Sequence, residues 1–136
     1  MKWHTVLGAR LFTNATSDLD VMCHDIALNH HEKWAGGGYP GKVSDLFSDD
    51  PLSGATRRGQ EIPLAARITG LADVYDALVS VRCYKKAWPE QKAIGLLEEE
   101  SGSQFDPEVV RAFLQIHDVI LAIRDRFQDV PETQGT

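Results

Sequence analysis

Apolar residues recur at intervals of three and four along most of the chain, and no stretch alternates apolar and polar residues for long enough to predict a strand. The pattern therefore predicts an all-α protein of about five helices. The first three predicted helices span about residues 3–13, 17–34 and 63–80. A fourth begins at Pro89 and is stopped by Gly102, and a fifth spans about 106–127.

The same spacing predicts which side chains of each helix face the core. In this interpretation two histidines point inward, one in each of the first two helices. The predicted inner positions are His4, Leu7, Gly8 and Leu11 in the first helix; Leu19, Met22, Cys23, Ile26, Ala27, His30 and Trp34 in the second; Leu64, Ile68, Leu71, Tyr75 and Leu78 in the third; and Val109, Val110, Phe113, Ile116, Ile120 and Ile123 in the fifth.

Length and composition indicate one ordinary domain. The 136 residues suffice for a single core, and we predict a domain over 1–129, with a long surface loop at 41–60 and a flexible tail at 130–136. No apolar run approaches the length of a membrane span, which predicts a cytoplasmic protein. A net charge of −6 argues against binding to DNA.

Metal-binding side chains occur on inward faces of three predicted helices: His4, the pair His30 and His31, and Asp73. Imidazole together with carboxylate suits zinc, iron or manganese better than calcium or magnesium, which prefer oxygen ligands. The chain therefore has the side chains for a transition-metal site, although their spacing matches no short metal motif.

Each of these residues also has a purely structural interpretation. His4 could be a core histidine satisfied by one hydrogen bond, and the His-His-Glu run at 30–32 could cap the last carbonyls of a helix. Asp73 could pair with Arg67 or Arg82. The residues alone leave these alternatives open.

Three long motifs resemble the HD-GYP family, bacterial metal-dependent phosphodiesterases that hydrolyse the second messenger cyclic di-GMP. The motifs are HHEKWAGGGYP, EIPLAARITGLADVYDALVSVRCYKKAW and GSQFDPEVVRAF, and the resemblance covers almost the whole chain. It implies an all-helical HD-domain fold. It also implies a centre of two or three metal ions, usually iron or manganese, with zinc or nickel as possible substitutes.

Carried over position by position, the resemblance implies two sets of site residues. The implied metal ligands are His4, His30, His31 and Asp73. The implied substrate-binding residues are Tyr39, Asp76, Arg82 and Lys85. An arginine suits a phosphate as a bidentate fork, and a lysine suits it as a point charge.

The family's His-Asp dyad lies upstream of the segment that resembles residues 1–8, so this sequence does not contain it. The dyad contributes metal ligands in the family. We therefore expect the chain to be the C-terminal portion of a larger sensor enzyme, with little or no activity alone. A degenerate stand-alone module is the alternative. The missing neighbours would expose apolar faces, which predicts a homo-oligomer.

Two other functions remain compatible with the residues. The chain could be a non-catalytic module that docks a diguanylate cyclase domain through its Gly-Tyr-Pro loop. It could also be an HD-type hydrolase of another phosphate ester.

Overall fold

The computed structural model describes residues 2–14, 16–81 and 86–127. Its helices are α1 (Trp3–Arg10), α2 (Asp18–Asn29), a 3₁₀ turn (Gly59–Glu61), α3 (Leu64–Val79), α4 (Glu90–Glu99), α5 (Pro107–Gln115) and α6 (His117–Arg126). The predicted all-α class is confirmed, with six α-helices in the described part of the chain. No helix there is long and apolar enough to cross a membrane.

Two helices begin at the residues that the sequence predicts. The Ser17 hydroxyl accepts a hydrogen bond from the Asp20 amide at 3.1 Å and so caps α2. At α5 the Asp106 carboxylate accepts from the Glu108 amide at 2.9 Å, and Pro107 occupies the first helical position. These starts are set locally, which is why they could be read from the sequence.

The predicted second helix is too long at its C-terminal end. It ends at Asn29, and the following chain leaves the helix for the glycine-rich loop. The amides of Trp34 and Ala35 bond to the carbonyls of Gln104 and Ser103, at 3.1 and 2.9 Å. Trp34 therefore belongs to a loop held against the α4–α5 turn, and its predicted helical position is wrong.

The long fifth helix is also wrong, because it is divided at Ile116 into α5 and α6. Ile116 has φ −105° and ψ 17°, outside the helical range. Its side chain and that of Ile123 are about half exposed rather than inward. Because the chain changes direction at this break, α6 lies beside the start of α4, and the His117 ring is 2.8 Å from the Glu90 carboxylate.

The core has two parts. The larger cluster joins α3, α4 and α5 through Leu71, Tyr75, Leu78, Val79, Ala93, Ile94, Leu97, Phe105, Val109, Val110 and Phe113. The smaller cluster joins α1 and α2 through Val6, Ala9 and Leu28, and Val43, Leu46 and Leu52 pack against it. Three side chains of the 41–60 segment therefore pack against a core cluster.

Several predicted inner faces are wrong. In α1 the buried residues are Thr5, Val6 and Ala9, whereas Leu11 is 81% exposed and His4 is also exposed. Helix α1 carries apolar side chains on more than one side, so their periodicity alone does not determine which face packs against α2. The predicted inner residues Leu7, Leu19, Met22, Leu64 and Ile68 are likewise about half exposed or more.

Candidate metal centre

Three predicted ligands converge at one point of the fold. His4 comes from α1, His30 is the residue that ends α2, and His31 follows it. Their potential ligand atoms all lie within 4.8 Å of one another. The ring centroids of His30 and His31 are 4.2 Å apart, and His4 lies 4.8 Å from His31. The structure thus brings the three histidines together, while their role as ligands stays a prediction.

His4 reaches this point from an exposed position. Its predicted place in the core is wrong, because the buried face of α1 is the one that carries Val6 and Ala9. The His4 ring lies 6.2 Å from the Tyr39 ring, and so points toward the Gly-Tyr-Pro loop rather than into the apolar cluster. The structural alternative of a satisfied core histidine is therefore not realised.

The tautomer of His30 is determined by its backbone neighbours. Its Nδ1 lies 2.8 Å from the Ile26 carbonyl oxygen and 3.1 Å from that of Ala27. A carbonyl oxygen only accepts, so Nδ1 carries the proton and donates it. Nε2 then keeps the lone pair that a metal requires, as in histidine ligands oriented by a backbone carbonyl.

The surroundings of His31 favour its neutral form. Burial lowers the pKa of His31, and the neighbouring His30 and His4 lower it further, whereas the charge of Asp73 acts in the opposite direction. A neutral imidazole is the form that binds a metal. The Tyr39 ring stacks on the His31 ring at a centroid distance of 4.9 Å and an angle of 18°.

Asp73 lines the same pocket as His30, His31 and Tyr39, a cavity of about 300 Å³. Gly70 allows α3 to approach closely here, since a Cβ at Gly70 would lie 2.9 Å from the His30 carbonyl oxygen. Gly70 therefore has a structural role: it lets α3 approach the histidine pair and so places Asp73 in the wall of the same pocket.

The alternative pairing of Asp73 with Arg67 is absent. Arg67 instead donates to the Asp106 carboxylate at 2.7 Å in a partly buried ion pair, and to the Ile62 carbonyl at 2.9 Å. Arg67 thus compensates the charge of the buried Asp106, the cap of α5. Asp73 is left facing the pocket.

The predicted substrate-binding residues are only partly described. Tyr39 lies in the pocket wall, whereas Asp76 does not line the pocket, and its carboxylate accepts a hydrogen bond from the Ser80 hydroxyl at 3.0 Å. Arg82 and Lys85 lie outside the described residues. The predicted tail at 130–136 lies outside them as well.

Glu32 is a site residue that the sequence interpretation treated only as part of a helix cap. Its side chain lies next to the pocket and is 9% exposed. Burial raises the pKa of Glu32 more than the Gly41 amide and the Arg57 charge lower it. Glutamate is seldom buried, and nothing in the sequence around Glu32 predicts that this one is buried rather than exposed to solvent.

The donor set fits a divalent transition metal. His30, His31 and Asp73 line the pocket, and the potential ligand atom of His4 lies within 4.8 Å of those of the two histidines. Imidazoles together with a carboxylate match the preferences of zinc, iron and manganese. The carbonyl behind His30 supplies the outer hydrogen bond that such ligands usually have. The residues that would hold the ion are His4, His30, His31 and Asp73.

The chain is similar in sequence to a known protein family and to several phosphodiesterases. The family profile described as "HD domain" matches residues 53–109. A cyclic di-GMP phosphodiesterase of Vibrio cholerae is 41% identical over 134 residues, which are 95% of this chain and 24% of that protein. A cyclic di-GMP phosphodiesterase of Thermotoga maritima is 36% identical over 129 residues, 95% of this chain and 31% of that protein.

A 3'3'-cGAMP-specific phosphodiesterase of Vibrio cholerae is 33% identical over 129 residues, 95% of this chain and 22% of that protein. The chain therefore spans less than a third of the length of each of these relatives. The similarity nevertheless runs through nearly all of its own length, including the histidine pair, the glycine-rich loop and α3. On these grounds the chain belongs to the HD-GYP family of HD-domain proteins.

Proposed function

We propose that this chain is part of a metal-dependent phosphodiesterase that hydrolyses cyclic di-GMP in bacterial second-messenger signalling. The observation that carries the proposal is the convergence of His4 of α1 with the histidine pair that follows α2, beside a pocket that the pair and Asp73 line. The names of the Vibrio cholerae and Thermotoga maritima relatives support cyclic di-GMP as the substrate.

The site residues would act as ligands of iron or manganese, with zinc or nickel as substitutes. A bound metal of this kind supplies a Lewis acid that neutralises phosphate charge and activates water. His30 presents Nε2 because its Nδ1 donates to the Ile26 carbonyl. Tyr39 covers one face of the His31 ring and so limits the access of water to it.

We infer that the residues after Asp73 bind the substrate phosphates. Asp76 lies one helical turn beyond Asp73 at an exposed position, and Arg82 and Lys85 follow the end of α3 in the sequence. The guanidinium of Arg82 would bind phosphate oxygens in pairs, and the Lys85 ammonium would add a single positive charge.

Metal content is the direct test of the site. Elemental analysis of the chain, purified without chelator, is expected to find iron or manganese in near-stoichiometric amount, and the H30A/H31A double variant is expected to lose it. The matched control is H24A, since His24 lies on α2 beside Asp25 and outside the pocket. Metal that persists in the double variant would contradict the proposed ligands.

The substrate is tested by titration calorimetry of the metal-loaded chain with cyclic di-GMP and with 3'3'-cGAMP. We expect tighter binding of cyclic di-GMP, and we expect R82A to weaken it by about tenfold or more through loss of charge-assisted hydrogen bonds. R111A is the control, because Arg111 is exposed on α5. Equal weakening by both variants would exclude a specific role for Arg82.

A docking role for the Gly-Tyr-Pro loop is the second candidate function. Lys33, Ala35 and Gly37 are exposed at the surface of this loop and accessible to a partner. If a diguanylate cyclase domain binds there, A35E should abolish its capture by the purified chain and leave the metal content unchanged, because Ala35 lies outside the pocket. Capture that survives this change would exclude docking at these residues.

We also infer that copies of the chain associate through an apolar groove of about 430 Å³ between α3 and α5. Leu64, Ile68 and Ile116 line it and are each about half exposed. Light scattering should show a dimer or larger assembly that I68K reduces to a monomer. V119K is the control, since Val119 is exposed on α6 outside the groove.

A further inference from the structure

Glu32 makes an unusual contact for a carboxylate next to two candidate ligands. Its side chain is nine-tenths buried, and Oε1 accepts a hydrogen bond from the Gly41 amide at 2.5 Å. Oε2 is buried and has no hydrogen-bond partner among the described residues. Removing a carboxylate from water costs free energy unless its contacts in the protein offset that cost. The hydrogen bond from Gly41 provides such a contact, and its effect is on the loop that Gly41 ends.

That bond closes the loop that carries Tyr39. The loop is attached to the histidine segment at two points: the Tyr39 amide donates to the His31 carbonyl at 3.3 Å, and the Gly41 amide donates to Glu32. Gly38 rests directly on the same backbone, because a Cβ there would lie 2.6 Å from the His31 carbonyl oxygen. Tyr39 and Pro40 are therefore held between two fixed points.

The outer side of the loop has separate supports. The Gly41 carbonyl accepts from Arg57 Nε at 3.3 Å, and the Lys42 amide donates to the Ala55 carbonyl at 2.7 Å. These contacts do not involve Glu32. Loss of the Glu32 contact is therefore expected to shift the inner part of the loop and to leave the rest of the fold in place.

The inner part of the loop is the part that contacts a candidate ligand. The Tyr39 ring stacks on the His31 ring, which has the His30 ring on another side at a centroid distance of 4.2 Å. The His4 ring lies 4.8 Å from the His31 ring as well, so three rings confine His31. We propose that Glu32 is a positioning residue, which holds Tyr39 against His31 and thereby fixes the direction in which the His31 imidazole points.

Proton NMR tests the positioning directly. We expect NOEs between the Tyr39 and His31 rings and a downfield, exchange-protected Gly41 amide in the unsubstituted chain and in E32Q, whose amide oxygen can still accept. E32A should lose both signals. E32M should lose both signals too. Its side chain fills the buried space but offers no acceptor, so E32M distinguishes the effect of the lost hydrogen bond from the effect of a cavity. E99A, at an exposed position of α4, is the control.

The consequence for the metal rests on the proposed function and is measured by Mn²⁺ titration. E32A and E32M should bind Mn²⁺ about 10- to 100-fold more weakly, as expected when an outer residue no longer orients a ligand, and E32Q should restore binding. Ring contacts that persist in both E32A and E32M, or that E32Q also loses, would overturn the inference. If the unsubstituted chain binds no Mn²⁺, the proposed function fails, and the NOEs still decide the role of Glu32.

Discussion

At the scale of single residues, the structure distinguishes side chains that look equivalent in the sequence. Asp73 and Asp76 are one turn apart on α3, and both are exposed carboxylates. Only Asp73 lines the pocket beside the histidines, whereas Asp76 is bonded to Ser80. The two aspartates are therefore expected to have different roles.

This difference predicts the effect of removing each negative charge. D73N should lower the affinity for Mn²⁺ by at least about tenfold, because it weakens a candidate ligand. D76N should leave the affinity for Mn²⁺ unchanged, because the Asp76 carboxylate lies outside the pocket and is bonded to Ser80. Titration calorimetry with Mn²⁺ measures both effects, and an equal loss of affinity in the two variants would contradict the assignment.

At the scale of helices, the position of α3 depends on close backbone contact. Gly70 faces the His30 carbonyl, and its lack of a side chain allows α3 to approach the end of α2. Gly95, on α4, has nothing within 4 Å of the position that a Cβ would occupy. Both glycines lie within helices, so the same substitution can be compared at a crowded and an open position.

G70A is expected to destabilise the protein by about 1 to 3 kcal/mol, because the added methyl group must displace the His30 carbonyl. G95A should instead stabilise it by about 0.5 to 1 kcal/mol, since alanine is the better helix former. Urea unfolding measures both changes. A stabilising G70A would show that the approach of α3 to α2 is not tight.

A second contact between helices is formed by Glu90 at the start of α4. Its carboxylate accepts hydrogen bonds from the Tyr75 hydroxyl at 2.5 Å, from His117 Nε2 at 2.8 Å and from Arg124. Burial by itself would raise the pKa of Glu90, but the hydrogen bonds from His117 and Tyr75 and the charge of Arg124 outweigh it and lower the pKa. The carboxylate thus joins α3, α4 and α6.

E90Q should therefore destabilise the protein by about 1 to 3 kcal/mol near neutral pH. The folded-state pKa lies below the ordinary value of 4.5, so Glu90 contributes its full stability above pH 4.5 and loses it as the pH falls through the folded-state pKa. The difference between the unsubstituted chain and E90Q should shrink in acid. Urea unfolding at a series of pH values measures this, with the exposed E98Q as control.

At the scale of the whole molecule, a bound metal would connect separate parts of the fold. His4 belongs to α1, the histidine pair follows α2, and Asp73 belongs to α3. Helices α1 and α2 share the smaller core cluster, whereas α3 belongs to the larger one. An ion bound by all three elements would favour the folded state over the unfolded one.

Metal loading is expected to raise the unfolding free energy by about 2.7 kcal/mol when the free ion is at 100 times its dissociation constant. Thermal unfolding of the chain with Mn²⁺, and again after addition of a chelator, measures the effect. The H30A/H31A variant should show no metal-dependent shift. A shift of equal size in that variant would locate the ion elsewhere.

The sequence by itself determined the helical class, the helix starts at Ser17 and Asp106, and the long motifs that identify the family. The helix starts depend on contacts between residues close in the chain, such as a capping side chain and the amide that donates to it. The helical class and the motifs depend only on the order of residue types along the chain. They are therefore readable without knowledge of the fold.

Only the tertiary structure decided the end of α2, the break at Ile116, the exposed position of His4 and the burial of Glu32. Each depends on a partner distant in the chain. Trp34 and Ala35 leave the helix for the α4–α5 turn, and α6 meets Glu90 of α4. Helical periodicity describes which side chains share a face, but long-range packing selects the face that is buried, and here it brought the exposed His4 of α1 beside the partly buried histidine pair that follows α2.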